Sequence, residues 1–167
     1  MNYKNAIVDG PDFKFYKTGF GVADGIIMQV GEEHPDAYDL EGQFVIPGLV
    51  DIHCHGNSGF LFTNGSGDSL KKIARYFAKK GTTSFSASSV TEKEEVLAAA
   101  YRNAVKLHNE KPEGHAKVCG ITMEGPFFSP LKKGAMDEKK MCATRYRNAP
   151  SSKQRSKRAY KNHMRCA

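Results

Sequence analysis

The 167 residues allow one domain with a real core, although a hydrophobic fraction of 40% without tryptophan is slightly low for one. No segment approaches the length of a membrane span and no apolar run follows Met1-Asn2-Tyr3-Lys4, so a cytoplasmic protein with no membrane partner is expected. The formal charge of +7 invites a nucleic-acid partner, but it belongs to the last thirty-one residues: residues 137–167 hold ten Lys/Arg against two Asp/Glu, residues 1–136 fifteen against sixteen.

Residues 3–46 read as short strands. Ala6-Ile7-Val8 ends at the turn signal Asp9-Gly10-Pro11, and Asp24-Gly25 separates two apolar runs as a hairpin turn does. Tyr38-Asp39-Leu40 and Phe44-Val45-Ile46 flank Glu41-Gly42, and the set predicts a small antiparallel sheet that carries no chemistry.

Val45 to Gly56 then reads as a buried strand ending in two histidines one residue apart. A strand places residues i and i+2 on one face, so Asp51, His53 and His55 point one way and Ile52 and Cys54 the other. Two imidazoles facing a common cavity can bind one metal ion; a His-x-His by itself is most often two histidines satisfied by water or backbone.

Leu70, Ile73, Ala74 and Phe77 predict a helix over 68–80, with Asp68 as N-cap and Gly81 just past its end. A β-branched and small strand, Thr82 to Ser88, follows. Thr91 with Glu94 three residues later has the form of a capping box opening a helix that runs to about His108. Lys117 to Met123 is a third strand, ending at Glu124. The order from residue 46 is βαβαβ, which implies parallel strands, and His53, His55 and Glu124 all fall at carboxyl ends of those strands, the edge on which α/β folds build their sites.

Cys54, Cys119, Cys142 and Cys166 show no paired spacing and read as buried apolar residues of a reducing compartment. Residues 137–167 contain no Leu, Ile, Val or Phe and no period, so they are expected to be a disordered or out-of-frame tail.

The run Pro47-Gly48-x-x-Asp51-x-His53-x-His55-Gly56 resembles the first-strand signature of the amidohydrolase superfamily. Lys80 to Phe85, Met123-Glu124-Gly125-Pro126-Phe127 and Ser129-Pro130-x-Lys132-Lys133-Gly134-Ala135 narrow the resemblance to the N-acetylglucosamine-6-phosphate deacetylase family, over residues 3–135. The resemblance implies an α/β fold: an incomplete (β/α)₈ TIM barrel, its first three strands within 47–136, beside an N-terminal β-sandwich portion over 1–46. It implies a divalent metal, zinc or iron, with His53, His55 and Glu124 among its ligands, and Ala135 and Met136 in contact with the substrate, a small amino sugar phosphate. It implies homo-oligomers for the full-length family. Met136 and Thr122 depart from the residues usual at those positions. The family's later metal histidines and catalytic aspartate have no counterpart before residue 136, so no catalytic acid or base is identified and the chain is expected to be a truncated, inactive form. Two rivals stay open: an amidohydrolase acting on a cyclic amide, and a non-enzymatic protein whose basic tail binds nucleic acid.

Overall fold

The computed structural model describes residues 1–31 and 34–141; the first part of the expected tail, residues 137–141, departs from the disorder expected of it by forming a 3₁₀ turn at Glu138–Lys140, and the rest, with Cys142 and Cys166, lies outside the described residues. Two compact units divide at Pro47 and Gly48.

The first unit is one sheet. Strands β1 (Asn2–Asp9), β2 (Phe15–Ala23) and β3 (Ile26–Val30) are antiparallel neighbours, β2 and β3 being joined at Asp24-Gly25, where both φ angles are positive. The short strands β4 (Tyr38–Asp39) and β5 (Phe44–Val45) correct the antiparallel expectation: both run parallel to β1, along its free edge. Glu41-Gly42 is a tight turn, with positive φ at both residues and closed by Gln43 N to Leu40 O, but it joins two segments on the same edge of β1 and does not reverse the strand as a hairpin would. Asp39 Oδ1 accepts from Glu41 N and Gly42 N donates to Asn5 O, which keeps the turn attached to β1.

The second unit is an α/β layer. Strands β6 (Leu49–Cys54), β9 (Thr82–Ser89) and β10 (Lys117–Met123) form a parallel sheet in the order β10-β9-β6. Between β6 and the first helix, β7 (Gly56–Asn57) and β8 (Phe60–Leu61) make a two-residue ladder. Helices α1 (Gly67–Lys79) and α2 (Glu94–Glu110) supply the crossovers. Their apolar stripes meet the sheet in one core of Phe62, Leu70, Ile73, Ala74, Phe77, Phe85, Ala87, Ala100, Ala104, Leu107, Ala116 and Val118. Neither helix is long and apolar enough to cross a membrane.

The helix starts differ from the sequence expectation. Ser66, not Asp68, caps α1 by accepting from Ser69 N, and Asp68 lies in the first turn, where its charge complements the positive end of the helix dipole. Lys93, not Thr91, precedes α2 and gives no side-chain cap; Thr91 lies two residues before it, its buried hydroxyl beside Gly125 and without a hydrogen-bond partner among the described residues. Strand β6 also departs from the buried strand expected of its sequence. Leu49, Val50 and Ile52 are 55%, 60% and 77% exposed, because among the described residues β6 is an edge strand paired only with β9.

Phe85 is the largest fully buried side chain and packs against Phe77 in a tilted pair, ring centroids 4.9 Å apart. Phe85→Ala is expected to lower the unfolding free energy by about 3–5 kcal/mol, read as a shift in the midpoint of urea denaturation.

Candidate metal centre

Three of the sequence-derived candidates converge. His53 lies near the end of β6, His55 in the step into β7, and Glu124 directly after β10. His53 Nε2 is 3.3 Å from His55 Nε2, and Glu124 Oε2 is 3.2 Å from the first and 3.1 Å from the second. The three donor atoms thus form a nearly equilateral triangle. An ion held about 2.0–2.1 Å from each of three nitrogen or oxygen donors spaces them about 3.3 Å apart, the edge of its coordination tetrahedron. Glu124 Oε2 is buried and makes no hydrogen bond. A buried carboxylate oxygen facing two imidazole nitrogens is a donor set that a divalent cation satisfies.

The surroundings fix the donors. His55 Nδ1–H donates to the Ser88 carbonyl at the end of β9, 3.0 Å away, which leaves the Nε2 lone pair free for the cluster. The register of β6 on β9, with Asp51 opposite Phe85 and Cys54 opposite Ala87, brings that carbonyl within reach. His53 N donates to Asp51 Oδ1 at 3.0 Å, so Asp51 is used in shaping the strand end. Cys54 takes no part: its thiol donates to Gly56 O, and burial pushes its pKa up.

Gly125 places Glu124. Its φ is +92°, and a Cβ there would lie 2.1 Å from Thr91 Oγ1. Gly56 does the same for the histidine side, since a Cβ on it would lie 2.0 Å from the Phe60 carbonyl oxygen. Of the other candidates, Ala135 is exposed and Met136 half-buried, with its sulfur 3.5 Å from Thr91 N. The parts that Ser88, Thr91 and Gly125 play at this site carry no signal in the sequence, because each acts through a main-chain or contact geometry that only the assembled sheet creates.

Gly125→Ala is expected to weaken zinc binding at least about tenfold, the scale on which disturbed ligand support is felt, while Gly67→Ala, at the start of α1, whose Cβ would meet only the Asn103 side chain at 3.6 Å, is expected to leave it unchanged. Competition with a chromophoric chelator measures both.

No family model matches the chain. It is 36% identical over 115 residues to the N-acetylglucosamine-6-phosphate deacetylase of Vibrio furnissii, covering 69% of this chain and 29% of that one. It is 35% identical over 128 residues to the enzyme of the same name from Bacillus subtilis, covering 71% and 32%. The crystal structure of N-acetylglucosamine-6-phosphate deacetylase from Thermotoga maritima matches with a TM-score of 0.69 at 25% identity, over 93% of this chain and 39% of that one. The chain spans about three tenths of the length of the curated relatives it matches. In sequence and in backbone alike, the chain resembles a part of the N-acetylglucosamine-6-phosphate deacetylases, which are enzymes.

Proposed function

We propose that this chain carries the amino-terminal part of a metal-dependent hydrolase that removes acetate from N-acetyl-D-glucosamine 6-phosphate to give glucosamine 6-phosphate. In this reading β6, β9 and β10 are the first three strands of a (β/α)₈ barrel and β1–β5 a portion of the neighbouring sandwich. The single observation that carries it is the triangle of His53 Nε2, His55 Nε2 and Glu124 Oε2, with sides of 3.1–3.3 Å, at the carboxyl ends of parallel strands.

His53, His55 and Glu124 would hold a zinc or iron ion. Such an ion supplies Lewis acidity toward an amide carbonyl and makes water more acidic. The chain's own part is to keep the donors in place and in the right protonation state. The Ser88 carbonyl holds the proton of His55 on Nδ1, and the Asp51 side chain fixes the backbone from which His53 projects. Ala135 and Met136 are assigned to the sugar. Amide hydrolysis also requires a proton for the leaving amine, and no residue of residues 1–136 is assigned that role. The 167-residue chain alone is accordingly proposed to bind metal without turning over.

Two measurements test this. The purified chain is expected to bind one zinc ion and to release no acetate from N-acetylglucosamine 6-phosphate; metal-dependent acetate release would overturn the second half. A chimera in which residues 3–135 replace the matching part of the Bacillus subtilis relative is expected to release acetate, and to lose that activity on Glu124→Ala. An inactive but folded and zinc-loaded chimera would sink the substrate assignment.

A further inference from the structure

The segment after Glu124 does not run free. It returns to the end of β9 and is fastened there at two points. Thr91 N–H donates to Met136 Sδ at 3.5 Å, and Lys140 forms an ion pair with Glu92. Lys133 Nζ donates to Met136 O at 3.1 Å and so fixes the main chain that presents the sulfur. Asp137 caps the 3₁₀ turn Glu138–Lys140 by accepting from Lys139 N, and that turn presents Lys140. The Glu92 side chain is 13% exposed and the Lys140 side chain 37%, so the pair is partly withdrawn from water. Lys140 holds the Glu92 carboxyl below the usual carboxylate range, and Glu92 raises the Lys140 ammonium in return.

The place of attachment matters. The β9 terminus from Ser88 to Glu92 touches both halves of the ligand triangle. Ser88 O receives the His55 ring proton, and Thr91 Oγ1 occupies the space beside Gly125 that a Cβ would need. The strap from Gly125 to Lys140 therefore begins at one ligand and closes on the segment that orients another. With the Lys140 end released, the strap beyond β10 keeps only the Thr91 N–H to Met136 Sδ contact, made to a weak sulfur acceptor, and holding the chain there costs closure entropy.

We propose that the Lys140–Glu92 ion pair is a clasp that positions Glu124 against His53 and His55, making Lys140 and Glu92 positioning residues of the metal centre. The clasp rests on the metal reading of that triangle. It touches neither the ion nor its ligands, and it acts by fixing where the Glu124 backbone can go.

The test is zinc affinity of the full 167-residue chain, measured by chelator competition, for Lys140→Met, Glu92→Gln and the exchanged pair Glu92→Lys with Lys140→Glu. Each single variant is expected to bind zinc about tenfold more weakly, the lower end of what outlying support of a ligand is worth. The exchanged pair is expected to recover most of the loss, because the clasp needs opposite charges and not a particular order. The Co(II) absorption band of the singles is expected to lose intensity or shift while the thermal midpoint of the metal-free chain stays within a degree or two of wild type, which separates positioning from general stability. Single variants that bind as tightly as wild type, or an exchanged pair no better than the singles, would overturn the clasp. Wild-type chain that binds no zinc, or that binds it unchanged after Glu124→Gln, would overturn the metal reading and the clasp with it.

Discussion

The hydrogen bond from His55 Nδ1–H to the Ser88 carbonyl is the interaction on which the arrangement turns. It joins the first strand of the α/β unit to the second at the point where both run out of ladder. It also decides chemistry, because an imidazole whose Nδ1 proton is committed to a carbonyl presents Nε2 as a lone pair. The bond exists only if β6 pairs with β9 in the observed register; a slip by one residue would turn His53 and His55 to the other face. The register is in turn held by the core beneath it, where Phe85 and Ala87 of β9 pack among the buried residues of α1 and α2. An apolar layer on one face of the sheet thus fixes a polar constellation at its end.

The triangle itself works against the stability of the metal-free chain. Two imidazole nitrogens and a carboxylate oxygen meet at 3.1–3.3 Å, and the carboxylate oxygen is buried with no hydrogen bond. Withdrawing such a group from water without a partner costs free energy that a bound cation would return. Both ligand-bearing strand ends also need glycine. At Gly125 and at Gly56 the neighbouring atoms, Thr91 Oγ1 and the Phe60 carbonyl oxygen, sit where any side chain would begin. The convergence is thereby achieved by close main-chain approach and not by long side chains reaching inward.

How much of this was legible in the sequence depends on the range of the interaction that decides each feature. The helices were readable because Leu70, Ile73, Ala74 and Phe77 state their period locally, and the hairpin at Asp24-Gly25 because the turn residues sit inside it. His53, His55 and Glu124 could be placed on one edge from strand order alone. The parallel course of β4 and β5 could not, since a tight turn at Glu41-Gly42 serves a hairpin and a link between two segments on one edge alike, and the two differ in which neighbour the chain then meets. Thr91 was misjudged for the same reason. Its spacing to Glu94 satisfies the capping pattern, but α2 begins only at Glu94 with Lys93 before it, and the Thr91 hydroxyl is buried beside Gly125, thirty-four residues away. The exposure of Leu49, Val50 and Ile52 was equally hidden, because an apolar run says that a strand is suited to burial and not whether anything lies beside it.

The composition of β9 shows how the two faces of one sheet come to differ. Phe85 and Ala87 enter the core, and Ser89, whose hydroxyl lies 2.9 Å from that of Tyr101, follows them toward α2. Strand alternation sends Ser84, Ser86 and Ser88 to the opposite face. There the Ser86 hydroxyl lies 2.9 Å from that of Thr122 on β10, so the hydroxyls answer one another across the ladder. Thr122 precedes Glu124 by two residues, and alternation puts it on the face from which Glu124 continues. A face lined by small hydroxyl side chains leaves room in front of it and supplies hydrogen bonds without charge. Phe85 and Ala87 thus answer to the helices and Ser86 to the neighbouring strand, and β9 satisfies both because its side chains alternate.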